Sequence, residues 1–324
     1  ATLDPSLVVY SGLVPGDTFD GTYTGVFSDA NVGTGKTINI TSSYSGADVN
    51  NYSVTDQSST TAHITAKALT ATASASNKTY DGGTTASTTL TFTGLVGSET
   101  LGQTVGSTFD NKNVGSNKTV TVNSITLGNG TNGGLAANYS ISAGQTTTAN
   151  ITAKSLTVSG ITASNKMYDG NTVATLSSSN VTYSGIVSGD SFAGSFSGSF
   201  SDKNIGTGKT VTITSSYSGT DVSNYTVTDQ SSTTANITSR DLEVTGITVF
   251  GLTVNNKEYD GTVTAPLKTD NISYSGLVDG DDFTGSYSGV FADANVGNGK
   301  TVTITSTYSG ADAGNYTVTD QSSA

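Results

Sequence analysis

The sequence predicts an all-β chain: tandem immunoglobulin-like β-sandwich modules joined into an extended rod, with β-grasp-like modules as the alternative. Three observations carry this reading. A short signature recurs at spacings of 88 and 91 residues, apolar residues alternate with period two and never with helical period, and 39 glycines punctuate a chain of 324 residues.

The signature is Asn-Lys-x-Tyr-Asp-Gly, at Asn77 to Gly82, Asn165 to Gly170 and Asn256 to Gly261. Other landmarks keep the same beat. Asn-Tyr pairs end at Tyr52, Tyr139, Tyr225 and Tyr316, and Gly-x-x-Lys-Thr elements place Lys36, Lys118, Lys209 and Lys300. Aligning them divides the chain into modules at 64–150, 151–236 and 237–324, preceded by 1–63. An unbroken offset of 173 residues maps Ala1-Thr2-Leu3 onto Ala174-Thr175-Leu176 and His63 onto Asn236, so 1–63 is an incomplete module lacking its first strand. The sequence thus reads as a segment of a longer repetitive polypeptide.

Within 151–236, Leu156, Val158 and Ile161 open a first strand that runs into the signature, where Asn, Asp and Gly suit a turn. In Phe192-Ala193-Gly194-Ser195-Phe196-Ser197-Gly198-Ser199-Phe200 the rings and glycines occupy even positions, hence one face of a strand. Such a face fills a core, with rings covering the glycine backbone. Val211 and Ile213 point inward, and Thr210, Thr212 and Thr214 outward. Asp312-Ala313-Gly314-Asn315-Tyr316 matches the Asp-x-Gly-x-Tyr pattern that opens strand F of immunoglobulin-like sandwiches, where the tyrosine buries its ring and its hydroxyl holds the preceding corner. Tyr52, Tyr139 and Tyr225 are its counterparts, although the segment before Tyr139 lacks the Asp. No Gly/Ser linker separates modules, so each last strand flows into the next first strand, and at about 3.3 Å per residue such modules chain into a rod.

Composition narrows the chemistry. Without Cys there is neither disulfide nor thiolate. The balance of 13 basic against 25 acidic residues, a net charge of −12, argues against nucleic acid and anionic membrane as partners. No stretch approaches the roughly 18 apolar residues of a membrane helix. The single histidine, His63, stands where other modules carry Asn150 and Asn236, so it reads as a polar edge residue and not a catalytic base. No catalytic set emerges, and the chain is expected not to be an enzyme.

Gly33-Thr34-Gly35-Lys36-Thr37 lacks the full phosphate-loop spacing and a following helix, and reads as a hairpin turn. No cofactor is expected. The weak exception is calcium at Asp279, Asp281 and Asp282, carboxylates that the matching loops reduce to Asp17 or Asp190. A Lys-Asn isopeptide bond is a further candidate device, with Lys78, Lys166 and Lys257 as its recurring lysines. The turn residues Tyr80, Asp81, Gly82, Tyr168, Asp169, Gly170, Tyr259, Asp260 and Gly261 form the structural signature, together with the corner tyrosines.

This order of motifs, Asn-Lys-x-Tyr-Asp-Gly, then Asn-Val-Gly-x-Gly-Lys-Thr, then Asn-Tyr, resembles the YDG repeats of large bacterial surface and secreted proteins, including filamentous haemagglutinin-like adhesins. Asn31 to Thr37, Asn204 to Thr210 and Asn295 to Thr301 carry the second motif, and the second module departs from it at Asn113 to Thr119. The resemblance implies an extracellular stalk or matrix component at a bacterial surface. Expected partners are neighbouring repeats, other copies of the chain, or surface glycans and proteins, the turns after Tyr80, Tyr168 and Tyr259 being the adhesive candidates and exposed edge strands the self-associating ones.

Overall fold

The computed structural model describes residues 1–249 and 256–324; residues 250–255, inside the fourth module, lie outside the description. The described chain is essentially all-β, its only helical elements being single 3-10 turns. None of its helices is long and apolar enough to cross a membrane. It divides into two compact units, Ala1–Thr152 and Ala153–Ala324.

The third module shows the architecture most fully. Its first strand, Lys154–Ser159, lies between Thr182–Ser184, to which it is antiparallel, and Tyr225–Thr228, to which it is parallel. A second sheet runs in the order Lys166–Met167, Ser232–Thr238, Gly206–Ser218, Ala193–Phe200, Val173–Ala174. The fourth module repeats the first sheet with Arg240–Thr245 between Ser273–Ser275 and Tyr316–Thr319. There, Val244 and Ile247 pack with Ile304 of the opposing Val302–Ser309 strand and with Tyr274, Tyr287 and Tyr308, so two sheets close over one core.

Period-two alternation places these side chains as the sequence predicts. Leu156, Val158, Ile161 and Val211 are fully buried, Ile213 is buried, and Thr210, Thr212 and Thr214 are exposed. The Phe192 ring stacks edge-on against Tyr183 and Tyr225 at 5.3 and 5.7 Å. A β-carbon at Gly194 would sit 2.5 Å from Phe196 Cζ and 2.7 Å from the Tyr183 hydroxyl, so the rings fill the space that glycine leaves.

Both sheets are mixed: the first strand runs parallel to Tyr225–Thr228, and Lys166–Met167 runs parallel to Ser232–Thr238. Two expectations need correction. Gly-Thr-Gly-Lys is not a hairpin turn. In the third module Gly206–Ser218 is one continuous strand whose register slips between Gly206 and Lys209, a β-bulge stabilised by Asn236 Oδ1, which accepts the Gly208 N–H at 2.7 Å. His63 Nδ1 accepts from Gly35 N at 3.0 Å in the same way, which explains how histidine replaces asparagine there. Finally, the corner tyrosine holds a different loop. Tyr225 Oη accepts the Val187 N–H at 2.8 Å and donates to Asp190 at 2.6 Å, ahead of the aromatic strand, while the preceding corner is held by Asp221, whose carboxylate accepts the Ser191 N–H at 2.9 Å. Tyr52 with Asp17, Tyr139 with Glu99 and Tyr316 with Asp281 repeat the hydroxyl's arrangement.

Candidate functional site: the module-docking face

Each residue of the signature has a separate task. Asn165 Oδ1 accepts the Asn236 N–H at 2.7 Å, tying the signature to the module's last strand, as Asn77 does for Asn150. Lys166 Nζ donates to Asp169 at 2.6 Å and to the Asn171 carbonyl at 2.8 Å, beneath the Phe200 ring at 5.5 Å. Lys78 and Lys257 repeat this with Asp81 and Asp260, under Phe109 and Phe291. The amines proposed for isopeptide chemistry are therefore engaged as ammonium donors inside the turn. Asp81 and Asp260 each accept the N–H two residues on, and Gly170 takes a φ of +79, the left-handed region that glycine enters without cost.

The tyrosine ring leaves that turn for the core. Tyr168 is completely buried, and its hydroxyl lies 2.8 Å from Asp281 and 3.3 Å from Asp312, both in the fourth module. Its ring meets Tyr316 edge-on at 5.5 Å. Gly170 follows it into the contact, since a β-carbon there would lie 2.9 Å from Val278 Cγ1. One continuous core cluster crosses the junction, uniting Tyr168, Phe200, Val211 and Ile237 with Leu242 and Tyr316. Tyr80 is as deeply buried, whereas Tyr259 of the last module is 67% exposed.

Charge completes the face. Lys203 Nζ reaches Asp312 at 2.7 Å and Asp281 at 3.2 Å, carboxylates whose side chains are 9% and 3% exposed. The lysine hydrogen bond holds Asp312 below the usual carboxylate range, and the same bond raises Lys203. Burial, with the Asp281 carboxylate second, pushes the Tyr168 and Tyr316 phenols up to about 12, so both remain protonated donors at neutral pH. Asp281 thus faces one ammonium and two phenols; Asp282 accepts the Ala311 N–H at 2.9 Å, and Asp279 is exposed. Among the described residues no three His, Cys, Asp or Glu side chains gather in a metal-holding arrangement.

The second motif docks as well. Asn315 Oδ1 accepts the Ile205 N–H at 3.0 Å and its Nδ2 donates to Asn204 at 3.2 Å, joining the third module to the fourth. In the other unit Asn138 does the same for Val32 and Asn31, at 2.9 and 3.1 Å. The asparagine of each of these Asn-Tyr pairs therefore reads the preceding module. The pairing of Lys203 with Asp312 escaped the sequence reading because the two meet only across a junction. The available signal was the tyrosine itself, a bulky ring inside a turn that needs only Asp and Gly.

Repeated surface pairs should make the chain acid-sensitive. Lys36, Lys209 and Lys300 pair with Asp29, Asp202 and Asp293, and the lysine hydrogen bond holds each carboxyl below its ordinary value; Lys257 brings Asp260 to about 2. A carboxyl lowered by folding stabilises fully above its unfolded pKa, near 3.9, and loses that contribution as pH falls through the folded value. Urea denaturation should therefore give the same stability at pH 7 and pH 6 and a lower one at pH 3. Lys257→Met should reduce the pH 3 loss.

The YDG domain family matches the chain four times, over residues 1–62, 65–149, 152–235 and 244–324. No curated protein and no solved structure matches it. The four matches cover nearly every residue, and the one over 152–235 contains the signature turn, the bulged lysine strand and the Asn-Tyr corner just described: the chain belongs to the YDG domain family.

Proposed function

We propose that the chain is a non-enzymatic structural repeat region of a bacterial extracellular adhesin or surface fibre, acting as a stalk, spacer or matrix filament. The observation that carries this reading is the fate of the motif residues. In the third and fourth modules, motif side chains that look chemically capable, such as Lys166, Tyr168, Asp169, Asn204 and Asn315, are engaged in forming turns or in fastening one module to the next. Repetition selected for joining modules gives length, and nearest-neighbour junctions give a repeat array its stability.

Small-angle scattering of the chain tests the reading: a stalk should give a rod-like profile, and a compact or freely jointed particle would refute it. The second reading is an adhesive module, with the turn after Tyr259 as a candidate contact. A glycan array and a cell-binding assay separate the two. A spacer scores blank in both, and loss of a positive signal in Tyr259→Ala would assign adhesion to that turn.

A further inference from the structure

The junction between the first and second modules and that between the third and fourth share a fastening and differ in charge. Each is held by the same asparagine contact, Asn138 with Asn31 and Val32 in one, Asn315 with Asn204 and Ile205 in the other. That contact sets the correspondence of positions. Ala30, before Asn31, stands where Lys203 stands before Asn204, and Leu135, three residues ahead of Asn138, stands where Asp312 stands ahead of Asn315. Where the earlier module offers lysine the later one offers aspartate; where it offers alanine the later one offers leucine. The sequence carries the first combination once more, with Lys112 before Asn113 and Asp221 three residues ahead of Asn224.

The corner carboxylate has a task inside its own module. Asp48 accepts the Thr18 N–H at 2.9 Å, Asp221 that of Ser191 at 2.9 Å and Asp312 that of Asp282 at 3.0 Å. In the second module the equivalent donor is the Thr100 N–H, and it goes instead to the Thr131 carbonyl at 3.2 Å, while the Thr131 N–H donates to Thr100 Oγ1 at 2.7 Å. Thr131 belongs to the turn Asn129 to Gly134, which is longer than its counterparts. The longer turn thus replaces the carboxylate and frees position 135 for an apolar residue. A module that keeps the aspartate imposes a condition on its neighbour. Asp281 and Asp312 lie together with almost no exposure, and Lys203 Nζ reaches both. Without that ammonium, two like charges would share a poorly solvated site, which is strongly unfavourable. A lysine brought opposite Leu135 would find no carboxylate at that corner.

We propose that Lys203 and Asp312 form a specificity pair that decides which module can follow which. A corner aspartate accepts a preceding module that brings lysine before its motif asparagine and rejects one that brings alanine, whereas an apolar corner takes the alanine type. The face of the fourth module that carries Asp281 and Asp312 is therefore a receptor for a lysine-bearing module of its own family. Attraction to the right neighbour and an unpaired buried carboxylate against the wrong one act together. The order of modules is encoded at these two positions. The inference concerns which modules join, and it is independent of whether the joined modules serve as a stalk or in adhesion.

The test is native-state hydrogen exchange on the 324-residue chain at neutral pH, reading the Ile205 amide, whose bond to Asn315 exists only while the junction is closed. Lys203→Ala should speed its exchange about 10- to 100-fold, the effect of removing one partner of a buried ion pair, reduced because the lysine is partly exposed. Adding Asp312→Asn removes the charge and keeps an oxygen for the Asp282 N–H. The double variant should return the Ile205 rate to within about threefold of the parent chain, a rescue that a purely local loss of packing would not show. The Ile213 amide, bonded to the Ser231 carbonyl within the third module, should keep its rate in both variants. Unchanged exchange at Ile205 in Lys203→Ala, no recovery in the double variant, or equal acceleration at Ile213 would each overturn the proposal.

Discussion

Tyr168→Ala is expected to lower the unfolding free energy of the chain by about 3–5 kcal/mol, the usual range for truncating a buried aromatic side chain. It should also split off the unfolding of the fourth module as a separate transition, because Tyr168 belongs to the core cluster that spans the third and fourth modules. Tyr168→Phe keeps the ring and removes only the hydroxyl that faces Asp281 and Asp312, so roughly 1–2 kcal/mol should be lost. Tyr259→Ala is the internal control. It changes the same motif position on a side chain 67% exposed, and the effect should stay within about 0.5 kcal/mol. Urea denaturation followed by tyrosine fluorescence and circular dichroism gives all three values. Equal losses at Tyr168 and Tyr259 would mean that the ring serves its own turn and not the junction.

Gly219→Ala should cost about 2–5 kcal/mol, combining left-handed backbone strain with overpacking. Gly219 ends the Gly206–Ser218 strand at φ +128, and a β-carbon there would overlap the Ser191 carbonyl oxygen, which belongs to main chain and cannot rotate away. Gly46 and Gly310 occupy the same crossing, against the carbonyls of Thr18 and Asp282. Gly208→Ala separates the two contributions. Gly208 has φ +62 but open space around it, so only the left-handed penalty of about 1–2 kcal/mol should appear. Thermal unfolding that ranks Gly219→Ala equal to Gly208→Ala would remove the steric part of the argument.

Much of the interior of each module is legible in its own sequence because it is set by period and spacing. Phe192 to Phe200 alternate with small residues, and Val211 and Ile213 alternate with threonines; each pattern has one solution on a pleated strand. Interactions between modules are a different matter. Tyr168 and Asp312 are 144 residues apart, and nothing local to Asn-Lys-x-Tyr-Asp-Gly names a partner in another repeat. The bulge at Gly206 to Lys209 was missed for a related reason. Gly-x-Gly carries the chemistry of a turn, and only its pairing with Ala235 and Ile237 on a neighbouring strand converts it into a slip of register. Parallel pairing of first strands was equally invisible, since alternation specifies a face and not a direction.

The parallel pairings have a mechanical consequence. The first strand of the third module starts at Lys154, and its last strand ends at Thr238, with only Ser239 before Arg240 opens the fourth. Tension along the chain therefore enters a module through its early strands and leaves through its late ones. Where an early strand lies parallel to a late one, as Lys166–Met167 does beside Ser232–Thr238, the load draws the two past each other lengthwise. Their hydrogen bonds then share the force and must fail together, instead of opening one after another from a free end. The Lys154–Ser159 strand beside Tyr225–Thr228 offers a second lengthwise contact, so the third module has the topology of a clamp loaded in shear.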